Sequence, residues 1–264
     1  MAMMNSQISS SEAERSRAFG RLHPRLQRWV HDQGWLSLHD AQERAIPPIL
    51  AGQTDVIIAA ATAAGKTEAA FLPILSSLAA VAESKSAVEK DGWSAHDPWA
   101  ETEVIPPVGV QVLYLSPLKA LINDQFDRLE QLCERVDVPV HRWHGDVASS
   151  AKQRVLKNPS GVLLITPESL EATFVNRGSA VPALFAGLRY IVIDELHSFI
   201  ASPRGAQLQS LMNRLDLAVR LRAPRIGLSA TLGDMAVAAN FLRPTQPDEV
   251  EVIELKSDGA IQLQ

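Results

Sequence analysis

Short runs of consecutive apolar residues alternate along this chain with longer segments whose apolar positions recur every three or four residues. DVIIAAA, VQVLYLS, GVLLITP, YIVIDEL and RIGLSAT are of the first kind, and EAAFLPILSSLAAV, KALINDQFDRLEQLC, GAQLQSLMNRLDLAVRL and DMAVAANFL are of the second. A strand that is apolar on both faces needs cover on both, and helices joining such strands supply it. The pattern predicts an α/β domain with a doubly wound, mostly parallel sheet of about six or seven strands. VPVHRWH offers a further strand. Upstream, Leu22, Leu26, Trp29 and Val30 recur at helical spacing with Gly34 as a stop, and DAQERAIPPIL reads as a second short helix before Gly52.

Three segments fall outside this rhythm. Residues 1–15 are rich in Ser, Glu and Met and are expected to be disordered. Residues 83–108 carry Trp93, Trp99 and three prolines without a sustained period, which predicts a mobile insertion. Residues 246–264 hold a strand-like run and a polar tail, expected to begin a linker. Between them lie a helical segment over 16–53 and the α/β domain over 54–245. No internal repeat is visible.

Composition narrows the setting. At 264 residues the chain can bury a substantial core. No apolar run approaches the roughly 20 residues of a membrane span, and the polar N-terminus is unlike a signal peptide, so the expected location is cytoplasmic. The single cysteine, Cys133, excludes an internal disulfide and suits a reducing compartment. The net charge of −5 gives no global basic footprint for nucleic acid, although a local cluster can still bind phosphate.

The chemistry starts at ATAAGKTEAA. Gly65-Lys66-Thr67 opens a helix directly after a buried strand, the context in which backbone N–H groups and a helix N-terminus face phosphates. A phosphate loop would also have glycine at position 60, and here it is alanine; alanine keeps its N–H and can donate wherever φ is negative. In this reading Lys66 reaches the β and γ phosphates and Thr67 offers a hydroxyl to Mg²⁺. The alternative is a chance AGKT at a helix start. IVIDELHSF then ends an apolar strand in Asp194-Glu195. One carboxylate there can hold Mg²⁺ and the next can orient or deprotonate an attacking water. Alone the acidic pair is weak, because solvated loops often carry one. Two such strand ends in one sheet would open onto the carboxyl edge where ligands bind.

The ordered series ATAAGKT, LSPLKALINDQ, ITPESL, DELH and LSAT resembles the first RecA-like domain of superfamily 2 helicases of the DExH type. RIGLSATLGD and SPRGAQL bring it nearest to the large-helicase-related (Lhr) group. The resemblance runs from about Leu36 to Thr231 and implies a RecA-like P-loop NTPase fold that uses ATP and Mg²⁺. It implies that Gln42 reads adenine, with Trp29 or Trp35 beside it. It further implies that Thr62, Ala63, Ala64, Gly65, Lys66, Thr67 and Glu68 form the nucleotide loop, that Asp194 and Thr67 hold the metal, and that Glu195 is the general base. His197 with Ser229, Ala230 and Thr231 would couple nucleotide state to strand grip. Ser116, Pro117, Lys119, Thr166, Pro167, Glu168 and Arg204 would touch the backbone of single-stranded or tailed nucleic acid, with DNA favoured over RNA.

Such motors need a second RecA-like domain, and no later motif follows here, so the chain is expected to be the N-terminal motor part of a longer helicase, nearly inactive alone. The rival is a non-catalytic nucleotide-dependent binding module, and the presence of both Lys66 and Glu195 favours the enzyme. An ATPase acting on proteins is disfavoured by the SPLKA and TPESL loops. His141 and His144 in HRWHGD lack further ligands at zinc spacing beyond Asp146, which disfavours a metal site.

Overall fold

The computed structural model describes residues 17–61, 65–90, 109–230 and 234–255, without the side chains of 85–90. Helices α1 (Pro24–Asp32) and α2 (Asp40–Ala51) precede the first strand, β1 (Val56–Ala59). There follow α3 (Lys66–Lys90), β2 (Val112–Leu115), α4 (Lys119–Glu134), β3 (Val140–Trp143), α5 (Ser149–Lys157) and β4 (Val162–Ile165). The last part comprises α6 (Pro167–Arg177), α7 (Val181–Leu184), β5 (Tyr190–Ile193), α8 (Pro203–Val219), β6 (Arg225–Ser229), α9 (Met235–Leu242) and β7 (Glu251–Glu254).

All seven strands are parallel, in the order β3-β4-β2-β5-β6-β1-β7. Side chains of a strand alternate between faces, and the two faces bury separate cores. Val56, Ile58, Val112, Tyr114, Val192 and Leu228 pack with α1 to α4, whereas Ile57, Leu113, Leu115, Leu163, Ile191 and Ile193 pack with α5 to α9. This division accounts for the continuous apolar runs. Leu22, Leu26, Trp29 and Val30 are all buried in the first core, and Gly34 ends its helical turn at φ +70°.

Two boundaries differ from the expectation. Helix α3 continues to Lys90, so residues 83–90 of the expected insertion are helical; Ala, Glu and Lys there sustain a helix without any apolar stripe. Glu251–Glu254, expected in the linker, is an edge strand paired with β1, Ile253 lying opposite Ile58 in the core. The remainder of the insertion, the 1–15 segment and the tail beyond 255 lie outside the described residues.

Register fixes what happens at the carboxyl edge. Leu115 pairs with both Ile165 and Ile193, and Trp143 pairs with Ile165. The next residues, Ser116, Thr166, Asp194 and His144, therefore leave the sheet at one level. Ala59 pairs with Ser229, and the strand order sets β6 between β1 and β5. Ser229 and Ala230 are thus flanked by Ala60, which follows β1, on one side and by the acidic pair on the other.

Candidate nucleotide and nucleic-acid site

A cavity of about 410 Å³ lies at this edge, lined by Trp35, Gln42, Lys66, Thr67, Asp194 and Glu195 among others. That falls in the usual range of roughly 300–1,000 Å³ for small-molecule pockets. Lys66, at the start of α3, is buried and donates to the carbonyls of Ala60 at 2.9 Å and Ala61 at 3.2 Å. Burial pulls its pKa below the ordinary lysine value, with Glu195 and Asp194 opposing that pull. Gly65 has φ +67°, a conformation that favours glycine, and a Cβ there would lie 2.6 Å from the Gln42 amide nitrogen and displace it. Thr62, Ala63 and Ala64 lie outside the described residues.

Gln42 is 1% exposed and is already engaged at both ends of its amide. Its oxygen accepts from His39 N at 2.9 Å, closing the N-terminus of α2, and its nitrogen donates to the Gly65 carbonyl at 3.5 Å. The residue thereby ties the N-terminus of α2 to Gly65, directly before Lys66. Of the two tryptophans, Trp35 lines the cavity, while Trp29 packs edge-on against it at 5.4 Å from within the core.

Asp194 is buried and accepts from the Glu195 main-chain N–H at 3.0 Å. Burial pushes its pKa up, partly offset by the Tyr114 hydroxyl, and the neighbouring Glu195 charge adds to the rise. Glu195 adopts φ +47°, a strained conformation for a residue with a side chain. Its carboxylate lies 3.3 Å from His197 Nε2. The other ring nitrogen, Nδ1, accepts from Ala230 N at 3.3 Å and lies 3.4 Å from the Ser229 hydroxyl. A main-chain N–H can only donate, so in the neutral ring Nδ1 is the acceptor and Nε2–H points to Glu195. A continuous bridge runs from Glu195 through His197 to the SAT turn; Thr231 lies outside the described residues.

Helix α4 contributes residues that the motif reading did not include. Leu121, Gln125 and Arg128 line the cavity. Thr67 donates to Gln125 at 3.3 Å, and Arg128 pairs with Glu68 at 2.5 Å. Their spacing of four and three residues was the available signal, since it marks one helix face, turned away from that of buried Ile122, Leu129 and Cys133.

The expected nucleic-acid loops lie on the β2 and β4 side. Ser116, Pro117, Thr166 and Pro167 have buried side chains, and the Thr166 hydroxyl caps α6 by accepting from Ser169 N at 3.3 Å. Lys119 and Glu168 are exposed, Lys119 pairing with Asp146 at 2.6 Å. Arg204 is partly exposed and joins the two loops, donating to the Pro117 carbonyl and to Glu168, each at 2.8 Å. Gly205 follows it because a Cβ there would lie 1.9 Å from the Phe199 carbonyl.

A parallel doubly wound sheet with a lysine-bearing loop after β1 and an acidic pair after β5 defines a phosphate-loop nucleotide-binding domain of the RecA type. The model of the DEAD/DEAH box helicase family matches residues 39–239, and the chain belongs to that family. It is 34% identical over 222 residues to the Lhr helicase of Mycolicibacterium smegmatis, covering 80% of this chain and 13% of that protein. It is 30% identical over 243 residues to the ATP-dependent helicase Lhr-Core of Methanothermobacter thermautotrophicus, covering 87% and 26% respectively. Among solved structures, Mycobacterium smegmatis Lhr bound to ssDNA and AMP-PNP superimposes with a TM-score of 0.69 at 28% identity, over 90% of this chain and 28% of that one. The chain thus spans only a minor part of the relatives it matches.

Proposed function

We propose that this chain is the ATP-binding motor domain of an ATP-dependent nucleic-acid helicase or translocase of the DExH type, similar to Lhr and acting in the cytoplasm. The observation that carries the reading is the bridge from Glu195 through His197 to Ser229 and Ala230, set at one sheet edge beside Lys66. It gives a change at the γ-phosphate a physical route to the strand-end loops. Among the described residues no helix is long and apolar enough to cross a membrane.

The donor set fits ATP with Mg²⁺. The buried Lys66 ammonium would meet the phosphates, Thr67 and Asp194 would hold the metal, and Gln42 with Trp35 would hold the base. Magnesium in such a site neutralises phosphate charge. The Glu195 carboxylate, which accepts from His197, is oriented to take a proton from water entering the pocket. Lys119, Glu168 and Arg204 would face the strand, single-stranded DNA being favoured because the Lhr neighbour was solved with ssDNA. In the whole protein the cleft would close against a second RecA-like domain, whose arginine stabilises the transferring phosphoryl group, an effect of about 10³ to 10⁵ in rate.

Calorimetry of ATP-Mg²⁺ binding beside Lys66→Ala tests the reading. Binding that disappears in the variant is expected, with turnover by this chain alone below about 1 s⁻¹. Equal binding by both proteins would refute the assigned phosphate loop.

A further inference from the structure

On the other side of α4, a cavity of about 720 Å³ opens between that helix, the edge strand β3 and α5. It is larger than the nucleotide pocket and shares no lining residue with it. Its walls differ in kind. Phe126, Val140 and Val155 make an apolar floor, and Arg142 and Arg154 bring positive charge. The Arg142 guanidinium lies 4.6 Å above the Phe126 ring, forming a plate of the sort on which nucleobases stack.

Two histidines complete the wall. Asn123 Oδ1 accepts from Arg142 at 3.2 Å and lies 3.2 Å from His144 Nε2. An oxygen of this kind cannot donate, so Nε2 carries the proton and Nδ1 keeps a lone pair. His144 is 5% exposed, and its buried Nδ1 has no partner; nor has His141 Nε2. Burial lowers the pKa of both rings, which favours their neutral forms. Among the described residues no group of His, Cys, Asp or Glu could hold a metal ion, so these nitrogens are not ligands in waiting.

Location decides the ligand. Register sets His144 level with Ser116 and Thr166, and Asp146 in the cavity wall is bonded to Lys119 of the strand-facing loop. The charges acting on His144 are Asp146 against Arg142, Lys119 and Lys152, a cationic balance. An acidic peptide would satisfy the arginines, but Asp146 of the cavity wall is tied to Lys119, which the reading above sets against the strand.

We propose that this cavity is a subsite for one nucleotide of the bound single strand, the base lying against the Phe126–Arg142 plate and its polar edge turned to the His144 imidazole, with the phosphate near Arg154. The inference rests on the nucleic-acid reading above. Stacking of this kind tolerates any base, so the subsite grips the strand without reading sequence.

The test is to fill the cavity and leave its charge alone. Ala151→Trp does so from α5, and Ala148→Trp does so from an exposed position that folding tolerates. Fluorescence anisotropy would compare a labelled mixed-sequence oligonucleotide with an abasic phosphodiester of the same length, circular dichroism confirming the fold. About tenfold weaker binding of the base-bearing strand by the filled variants is expected, with the abasic strand bound equally by all three proteins. Equal binding of the base-bearing strand by all three would overturn the subsite while leaving the nucleic-acid reading standing, and would point to a different occupant such as a peptide. Equal weakening toward both strands would also overturn it, since the cavity would then hold backbone alone. Failure of the unaltered chain to bind either strand would overturn the nucleic-acid reading and the subsite with it.

Discussion

Replacing Asp55 with alanine tests whether the amino-terminal edge of the sheet is held by a buried ionic network rather than by apolar packing alone. The Asp55 side chain is 3% exposed and accepts from Arg243 at 2.5 and 2.9 Å, from the Arg225 main-chain N–H at 2.7 Å and from Arg222 at 3.4 Å. Alanine would leave Arg243 with Asp216 at 3.4 Å and the Ala223 carbonyl at 3.1 Å. It would also leave the Arg225 N–H unpaired. Breaking a buried ion pair from one side removes about 3–5 kcal/mol. Summing the separate hydrogen bonds would give more, but bonds sharing one carboxylate are not additive. For a domain of this size each kcal/mol shifts Tm by roughly 2–4 °C, so a fall of about 6–20 °C is expected. Urea and thermal unfolding, followed by circular dichroism, measure it. Asp55→Asn retains an acceptor and should lose less than Asp55→Ala. A loss below about 1 kcal/mol in the alanine variant would show that water rescues the arginines and would refute the reasoning. Asp55 precedes β1 at the end opposite the phosphate loop, so ATP-Mg²⁺ affinity should be unchanged at temperatures where the variant is folded.

The remaining predictions concern the site. ATP-Mg²⁺ affinity should fall on acidification at a pH above the ordinary carboxylate value of 3.8, because the ionised form of Asp194, proposed to hold the metal, is disfavoured by burial. Since the folded chain holds that proton more tightly than the unfolded one, ionising Asp194 lowers stability as pH rises from 3.8 to the raised value, and bound magnesium offsets the loss. On the alkaline side affinity should weaken below 10.5, as Lys66 gives up its proton early. Calorimetry at stepped pH checks both limbs, and affinity that changes only at the ordinary values would contradict the burial argument. Nitrogen-15 spectra of the His197 ring should show the Nε2–H tautomer when neutral, and an Nδ1–H signature would break the assigned bridge.

The apolar runs of β1, β2, β4, β5 and β6 were legible because each strand is buried on both faces, and the ATAAGKT, LSPLKA, ITPESL, DELH and LSAT motifs each follow directly from a strand end. Less legible was whatever depends on partners distant in sequence. Asp55, Asp216, Arg225 and Arg243 look like ordinary charged residues, and only the fold brings Asp55 beside Arg243. The same holds for the choice between Trp29 and Trp35, which share an apolar surrounding in sequence and differ only in which one reaches the cavity. Helix α3 beyond Glu83 has no apolar stripe to announce it, and β7 is short and flanked by charge.

Helix α4 begins at Lys119, in the loop proposed to meet the strand, and carries Arg128 into the nucleotide pocket. Nine residues at 1.5 Å each separate them, about 13 Å of hydrogen-bonded rod. A helix of that length would carry a displacement at one end to the other. If Lys119 meets the strand and Arg128 the nucleotide, the two ends need not exchange any bond for one to register the other's movement, as with the two handles of one tool.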